Sequence, residues 1–330
     1  VVKQFHEAGN IVFICAHGAA LQLLQAECGY AIFVPDIPFE LTYSKTKLFT
    51  RIKLLLQLPQ MLLQVYREHR LLAELVEQYK IDLVIADNRY GFYHQTVPSV
   101  FITHQLNIQL PFAAWPVNVI NHYLIKKFDC CWVPDFEPEI QKLAGRLSQN
   151  KSHLKHVRYI GPLSRVEAIE VGVEKNAPVL YLLSGIEPQR SQLEKIIIDF
   201  HQQNPHEAIL VRGTNDLKNA PLSSVGLSIY NLCDAEQLQK LVKMSKYIVC
   251  RSGYSSIMDL VKWKKNAVLI PTPGQFEQEY LAAYLCKKKF FYSISQQQFL
   301  TFREKDMGAY QCPDAVLPVQ DFVKLAESIF

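Results

Sequence analysis

Arg251-Ser252-Gly253-Tyr254-Ser255-Ser256 stands between an apolar run, Tyr247 to Cys250, and a segment whose Ile257, Leu260, Val261 and Trp263 recur at helical spacing. Such a strand-to-helix junction offers unpaired backbone N–H groups and the positive end of a helix dipole, which is the chemistry of a phosphate seat. Asp259, further along the same helix, suits a ribose diol. A second apolar strand (Ala267 to Ile270), a Pro271–Gly274 turn and a polar helix start follow, and there Gln278 and Glu279 suit a sugar ring. An ordinary βαβ unit with Ser and Gly in its loop is the plainer reading of the same residues. On the other side of the chain, His104 directly follows the apolar run ending at Ile102-Thr103. A histidine there can serve as general base on an acceptor hydroxyl, since its unperturbed pKa is about 6.5, or it can be a structural or capping residue. Asp87 offers a carboxylate at the next strand end, with helix capping as its commoner use.

The elements that must position these groups alternate. Strands are expected at 11–16, 31–34, 83–86, 99–102 and 130–133, then at 179–183, 209–212, 227–232, 247–250 and 267–270, with helices between them. That alternation predicts an α/β chain of doubly wound parallel sheets, whose ligands lie beyond the carboxyl ends of the strands. His17, Asn88, Arg89, Gln105 and Asn107 fall at such ends, and Asn88, Gln105 and Asn107 are candidates for the acceptor side.

Composition narrows the function class. At 330 residues with 49% hydrophobic content, the chain can fill two cores. A formal charge of +4 is too mild to argue for nucleic acid. The eight cysteines show no CxxC spacing and read as free thiols of a reducing compartment. No Asp-x-Asp triplet or His/Cys cluster suggests a metal, and no cofactor is implied; a dinucleotide dehydrogenase is disfavoured because no GxGxxG follows a strand. Neither a membrane-spanning run nor a signal peptide is visible, so a cytoplasmic location is expected.

The order Arg251-Ser252-Gly253, Ser256, Asp259, Pro271, Gln278-Glu279 resembles the C-terminal half of GT-B glycosyltransferases, specifically the family of the bacterial peptidoglycan N-acetylglucosaminyltransferases (glycosyltransferase family 28). Asp259 stands where that family usually has Glu, and Glu279 where a second Gln is common. The resemblance implies two Rossmann-like domains facing a central cleft, 1–162 for the acceptor and 163–330 for a nucleotide-sugar, with a last helix at 319–330 packing back on the first domain. It implies an inverting, metal-independent transfer of a hexose or N-acetylhexosamine from a UDP-sugar. Arg165, in Gly161-Pro162-Leu163-Ser164-Arg165, matches the family arginine that faces the donor phosphates; a plain surface arginine is the alternative. Ser184-Gly185 opens the loop that cups the pyrophosphate, poorer here in glycine (SGIEPQRS), and Leu232 lies in the loop that presses on the base. The chain opens inside a helix, an order which, in a wound domain, implies an upstream strand; the loop after it helps the family place acceptor and base.

The family works on a lipid-linked acceptor through an apolar and basic patch. Tyr43 to Leu63 mixes Lys45, Lys47, Arg51 and Lys53 with many leucines, and suits peripheral contact with the inner face of the cytoplasmic membrane, a dimer contact, or simple coverage of the sheet. Two other readings share the architecture: a nucleotide-sugar 2-epimerase, and a non-catalytic nucleotide-sugar-binding subunit of a glycosyltransferase complex.

Overall fold

The computed structural model describes residues 1–38, 47–110, 114–137, 142–164, 177–214, 225–314 and 320–329. Its C-terminal half is built on β7 (Val179–Leu182), β8 (Ala208–Val211), β9 (Leu227–Tyr230), β10 (Ile248–Cys250), β11 (Ala267–Leu269) and β12 (Tyr292–Ser293). These pair in parallel in the order β12-β11-β10-β7-β8-β9. That is the doubly wound order, with its topological switch between β7 and β10. β7, β8, β10 and β11 are apolar on both faces because helices cover both: Leu180, Cys250 and Leu269 belong to one core layer, Tyr181, Val249 and Val268 to the other. α5 (Gln189–Gln203), α6 (Ala235–Met244), α7 (Tyr254–Lys262) and α8 (Phe276–Lys287) supply the cover. α6 starts where Asp234 accepts a hydrogen bond from the Gln237 N–H, an N-cap readable in the sequence.

The N-terminal half is wound from shorter pieces. β1 (Phe13–Cys15) and β2 (Ile32–Val34) pair with each other, while β3 (Val84–Asp87), β4 (Ser99–Ile102), β5 (Cys130–Val133) and β6 (Val157–Tyr159) form a second parallel sheet. In chain order α1 (Val2–Glu7) precedes β1, α2 (Gly18–Glu27) joins β1 to β2, α3 (Lys47–Tyr79) runs from β2 to β3, and α4 (Ala114–Ile125) lies between β4 and β5. What joins the two sheets at their carboxyl ends is a side chain: Arg89, just past β3, donates to the Cys15 carbonyl at the end of β1 (3.3 Å) and to Asp36 past β2 (2.7 Å).

Two segments cross the expected 162/163 boundary. Phe136, Leu143, Ala144 and Leu147 pack into the C-terminal core beside Tyr254, Ile257 and Leu281. In return α9 (Phe322–Glu327) lies on the N-terminal sheet, with Phe322 against Trp132 at 5.6 Å between ring centroids and Gln4 bonded to Gln320 and Phe322. Hydroxyls of α7 and α8 complete the seam: Tyr254 donates to the Pro134 carbonyl (2.8 Å), Tyr284 to the Lys142 carbonyl (3.0 Å), and Tyr280 accepts from the Arg146 N–H (2.7 Å).

Of the Tyr43–Leu63 stretch, 43–46 lie outside the described residues; the rest begins α3, where Leu62 and Leu63 are exposed. A second apolar surface was not anticipated. α4 is inverted: Asn118 and Asn121 face inward and bond the backbone of the loop after β4, at Ile108 (2.7 and 3.0 Å) and Gln105 (3.0 Å), with His122 on the Leu106 carbonyl (2.8 Å). Its Trp115, Val119 and Tyr123 face solvent at four-residue spacing, Trp115 80% exposed, with Lys127 over the Tyr123 ring. Among the described residues no helix is long and apolar enough to cross a membrane.

Candidate functional site

The carboxyl ends of the paired strands β7 and β10 flank the switch point, and the Ser184-Gly185 and Ser252-Gly253 turns follow them. Gly185 has φ +105° with nothing within 4 Å of where a Cβ would stand, so this turn needs glycine and presents bare backbone. Ser184 beside it is exposed, as is Leu232 in the loop after β9. Ser256 and Asp259, on the first two turns of α7, are half-buried.

The other residues of the predicted donor set shape these turns from beneath. Arg251 is buried, donating to the carbonyls of Gln189 (2.6 Å), Ile270 (3.3 Å) and Pro271 (3.4 Å), and burial lowers its pKa to about 10. It thereby ties the start of α5 to the ends of β10 and β11. Ser252 donates to the Gln278 carbonyl (2.9 Å). The Gln278 side chain accepts from the Thr272 N–H (2.9 Å), and Glu279 accepts from the Gly274 N–H (3.0 Å), so both hold the Pro271–Gly274 turn. Below them Glu194 joins two buried guanidiniums, Arg190 and Arg212, and Arg212 also donates to the Asn231 side chain (2.8 Å) in the loop before α6. Arg165 lies outside the described residues.

Across the cleft, the loop after β4 brings His104 to the C-terminal domain. Its ring stacks on Tyr254 (centroids 4.0 Å apart, 15° between planes), and its Nε2 lies 2.8 Å from Glu277 Oε1. Gln105 donates to the other oxygen of Glu277 at 2.5 Å. Glu277, in the first turn of α8, is thus the residue that reads the N-terminal domain; in the sequence it was only part of a polar helix start. Asp87 reaches the surface at the end of β3, where surrounding protein raises its carboxyl above the usual range against the pull of His104. Asn88 sits at φ +54° and accepts from the Thr103 hydroxyl (3.3 Å). Asn107 bonds the carbonyls of Arg146 and Gln149, and so braces the seam. A hollow of about 140 Å³ opens here, lined by Gln105, Ile108, Leu110, Gly274, Gln275 and Glu277. A larger one, about 520 Å³, is at the opposite, amino end of the C-terminal strands, over Phe200, Tyr247 and Phe302, away from every residue above. Among the described residues no group of three His, Cys, Asp or Glu could hold a metal ion.

The arrangement is two strand-end surfaces facing each other: one of backbone N–H groups and helix starts, the other of histidine, amide and carboxylate side chains. Against that geometry, the sequence model of the glycosyltransferase family 28 C-terminal domain matches residues 189–303. Among curated proteins no sequence matches. Solved structures share the fold over nearly the whole chain. Acinetobacter baumannii MurG aligns with a TM-score of 0.52 at 15% identity, covering 99% of this chain and 92% of its own. The spinosyn rhamnosyltransferase SpnG complexed with thymidine diphosphate gives 0.58 at 10% identity, covering 99% and 89%. A UDP-N-acetylglucosamine 2-epimerase assigned in Listeria monocytogenes gives 0.57 at 11%, covering 97% and 87%.

Proposed function

We propose that this glycosyltransferase, of GT-B architecture with a family 28-type C-terminal domain, moves a hexose or N-acetylhexosamine from a UDP-sugar to an acceptor hydroxyl with inversion. The observation that carries the reading is the pair of Ser-Gly turns at the β7/β10 switch point, within and beside the matched segment and facing His104. The diphosphate rests on the Ser184-Gly185 and Ser252-Gly253 backbone and the start of α7, with Arg165 toward the phosphates and Leu232 against the base. Asp259 takes the ribose, and Gln278 and Glu279 shape the sugar's turn. His104, with Asp87 near it, takes the proton of the acceptor hydroxyl once Glu277 withdraws from Nε2. The oxygen attacks the anomeric carbon, the bond to the β-phosphate breaks, and its electron pair leaves with the diphosphate, which helix starts stabilise without any metal.

A thermal-shift panel of nucleotides and nucleotide-sugars tests the donor half. One uridine sugar at 100 times its dissociation constant adds about 2.7 kcal/mol of stability. Asp259→Ala loses that gain. No shift with any nucleotide, or an equal shift in the variant, refutes the donor site. The Listeria neighbour gives the 2-epimerase reading a specific footing, so the same UDP-sugars are incubated without acceptor; appearance of the 2-epimer would replace the transferase reading.

The acceptor is proposed to be lipid-linked and the protein to sit on an anionic cytoplasmic membrane face. Leu62, Leu63 and the inverted face of α4 support this, since Trp115 and Tyr123 beside lysines suit a lipid interface. Trp115→Ser with Tyr123→Ser should lower co-sedimentation with anionic vesicles about tenfold and leave nucleotide binding unchanged.

A further inference from the structure

We infer that His17, held by the buried carboxylate of Asp36, is an acceptor-side anchor that hydrogen-bonds a neutral, hydroxyl-rich end of the acceptor; this rests on the transferase reading above. His17 follows β1, Asp36 follows β2 and Arg89 follows β3, so three strand ends converge on one ionic chain. His17 Nδ1 lies 2.6 Å from Asp36 Oδ2, and Arg89 Nη2 bridges Asp36 Oδ1 (2.7 Å) and Glu68 Oε1 (3.0 Å). Asp36 is 2% exposed at its side chain and also accepts from the Ile37 N–H (2.8 Å); the His17 side chain is 33% exposed.

A histidine at this position would ordinarily be read as a helix cap. His17 does occupy the N-cap of α2, yet its side chain makes no capping bond. Its ring is instead fixed through Nδ1 by a carboxylate that has lost its water, an arrangement that costs desolvation and sets the ring's direction. Among the described residues, Nε2 has no partner. It lies at a strand end of the N-terminal half, tied through Asp36 to Arg89, which follows β3 two residues after Asp87.

The chemistry of the surroundings selects the ligand. Arg89 spends its donors on two carboxylates and the Cys15 carbonyl, and its guanidinium lies 3.9 Å over the Phe92 ring. The guanidinium therefore offers no free N–H to a phosphate, and the Asp36 and Glu68 carboxylates beside it can only accept hydrogen bonds. A hydroxyl, which can donate to a bare Nε2 or accept from a protonated one, pairs with the ring in either form. The subsite therefore takes the glycosidic end of an acceptor, and any phosphate in the acceptor lies elsewhere.

The test uses the full-length protein with histidine ring carbons isotopically labelled, and two probes of equal tail length: octyl β-glucoside below its micelle concentration, and octyl phosphate. The glucoside should shift the His17 ring resonance and octyl phosphate should not. His17→Gln should weaken the glucoside about tenfold and leave UDP affinity unchanged. A stronger response to octyl phosphate, no response of His17 to either probe, or full glucoside affinity in His17→Gln overturns the anchor. UDP binding in the same samples reports separately on the donor site, so loss of one reading is not mistaken for loss of the other.

Discussion

The two halves of this molecule solve the same problem by different means. In the C-terminal half one continuous sheet brings β7 and β10 side by side, and the site is made of the backbone turns that follow them. In the N-terminal half the sheet is in two pieces, and strand ends are joined by side chains, Arg89 to Asp36 and Cys15. Backbone turns on hydrogen-bonded strands tolerate changes of side chain provided glycine stays where φ is positive. A rim built of side chains can change its specificity with few substitutions, at the cost of depending on each one.

The contrast can be broken most severely from beneath the two Ser-Gly turns. Glu194→Ala leaves the buried Arg190 and Arg212 without their shared carboxylate and should cost about 3–5 kcal/mol in urea unfolding. Glu68→Ala, by comparison, leaves Arg89 still paired with Asp36 and should cost less; equal losses would show that the two halves do not differ as described.

The pH response of the N-terminal rim is the next test. Burial pushes the Asp36 carboxyl up, but the hydrogen bonds from Arg89 and His17 outweigh it and hold the group below its usual range. A carboxylate lowered in the folded state adds stability that is fully present above its unfolded value, about 3.9, and is lost as pH falls through the folded value. Wild type should therefore lose more stability than Asp36→Asn between pH 5 and pH 2, read as the difference between their unfolding curves (about the width that linkage requires). Parallel curves would mean that the rim is not held by this carboxylate.

The smallest expected effect is at the seam. Tyr254→Phe keeps the ring under His104 but leaves the Pro134 carbonyl without its donor, a loss of about 1 kcal/mol. A much larger loss would show that the two halves are joined chiefly by hydroxyls rather than by the apolar contact of Leu143 and Leu147.

Much of the C-terminal half was legible because buried parallel strands read as short apolar runs and their turns are contiguous in sequence. Val179-Leu180-Tyr181-Leu182 and Ile248-Val249-Cys250 are strands as expected, and the start of α7 falls one residue after Gly253. The helix expected after the Ser184-Gly185 turn runs from Gln189 to Gln203, with a polar first turn that shows no apolar period. Less was legible in the N-terminal half. Glu277 looked like any acidic residue at a helix start, and α4 carries its apolar residues outward, so periodicity alone marks a face without saying which way it turns.

By itself, the sequence determined the local units: which runs become strands, where glycine or a capping aspartate starts a helix, and that parallel winding follows from alternation. Those depend on neighbours a few residues apart. Only the tertiary structure decided which strand ends meet. His104 and Glu277 are 173 positions apart, Arg89 and Asp36 are 53, and Tyr254 and Pro134 are 120. Each pair combines groups whose types are unremarkable alone, and chain folding supplies the proximity that turns them into a cleft.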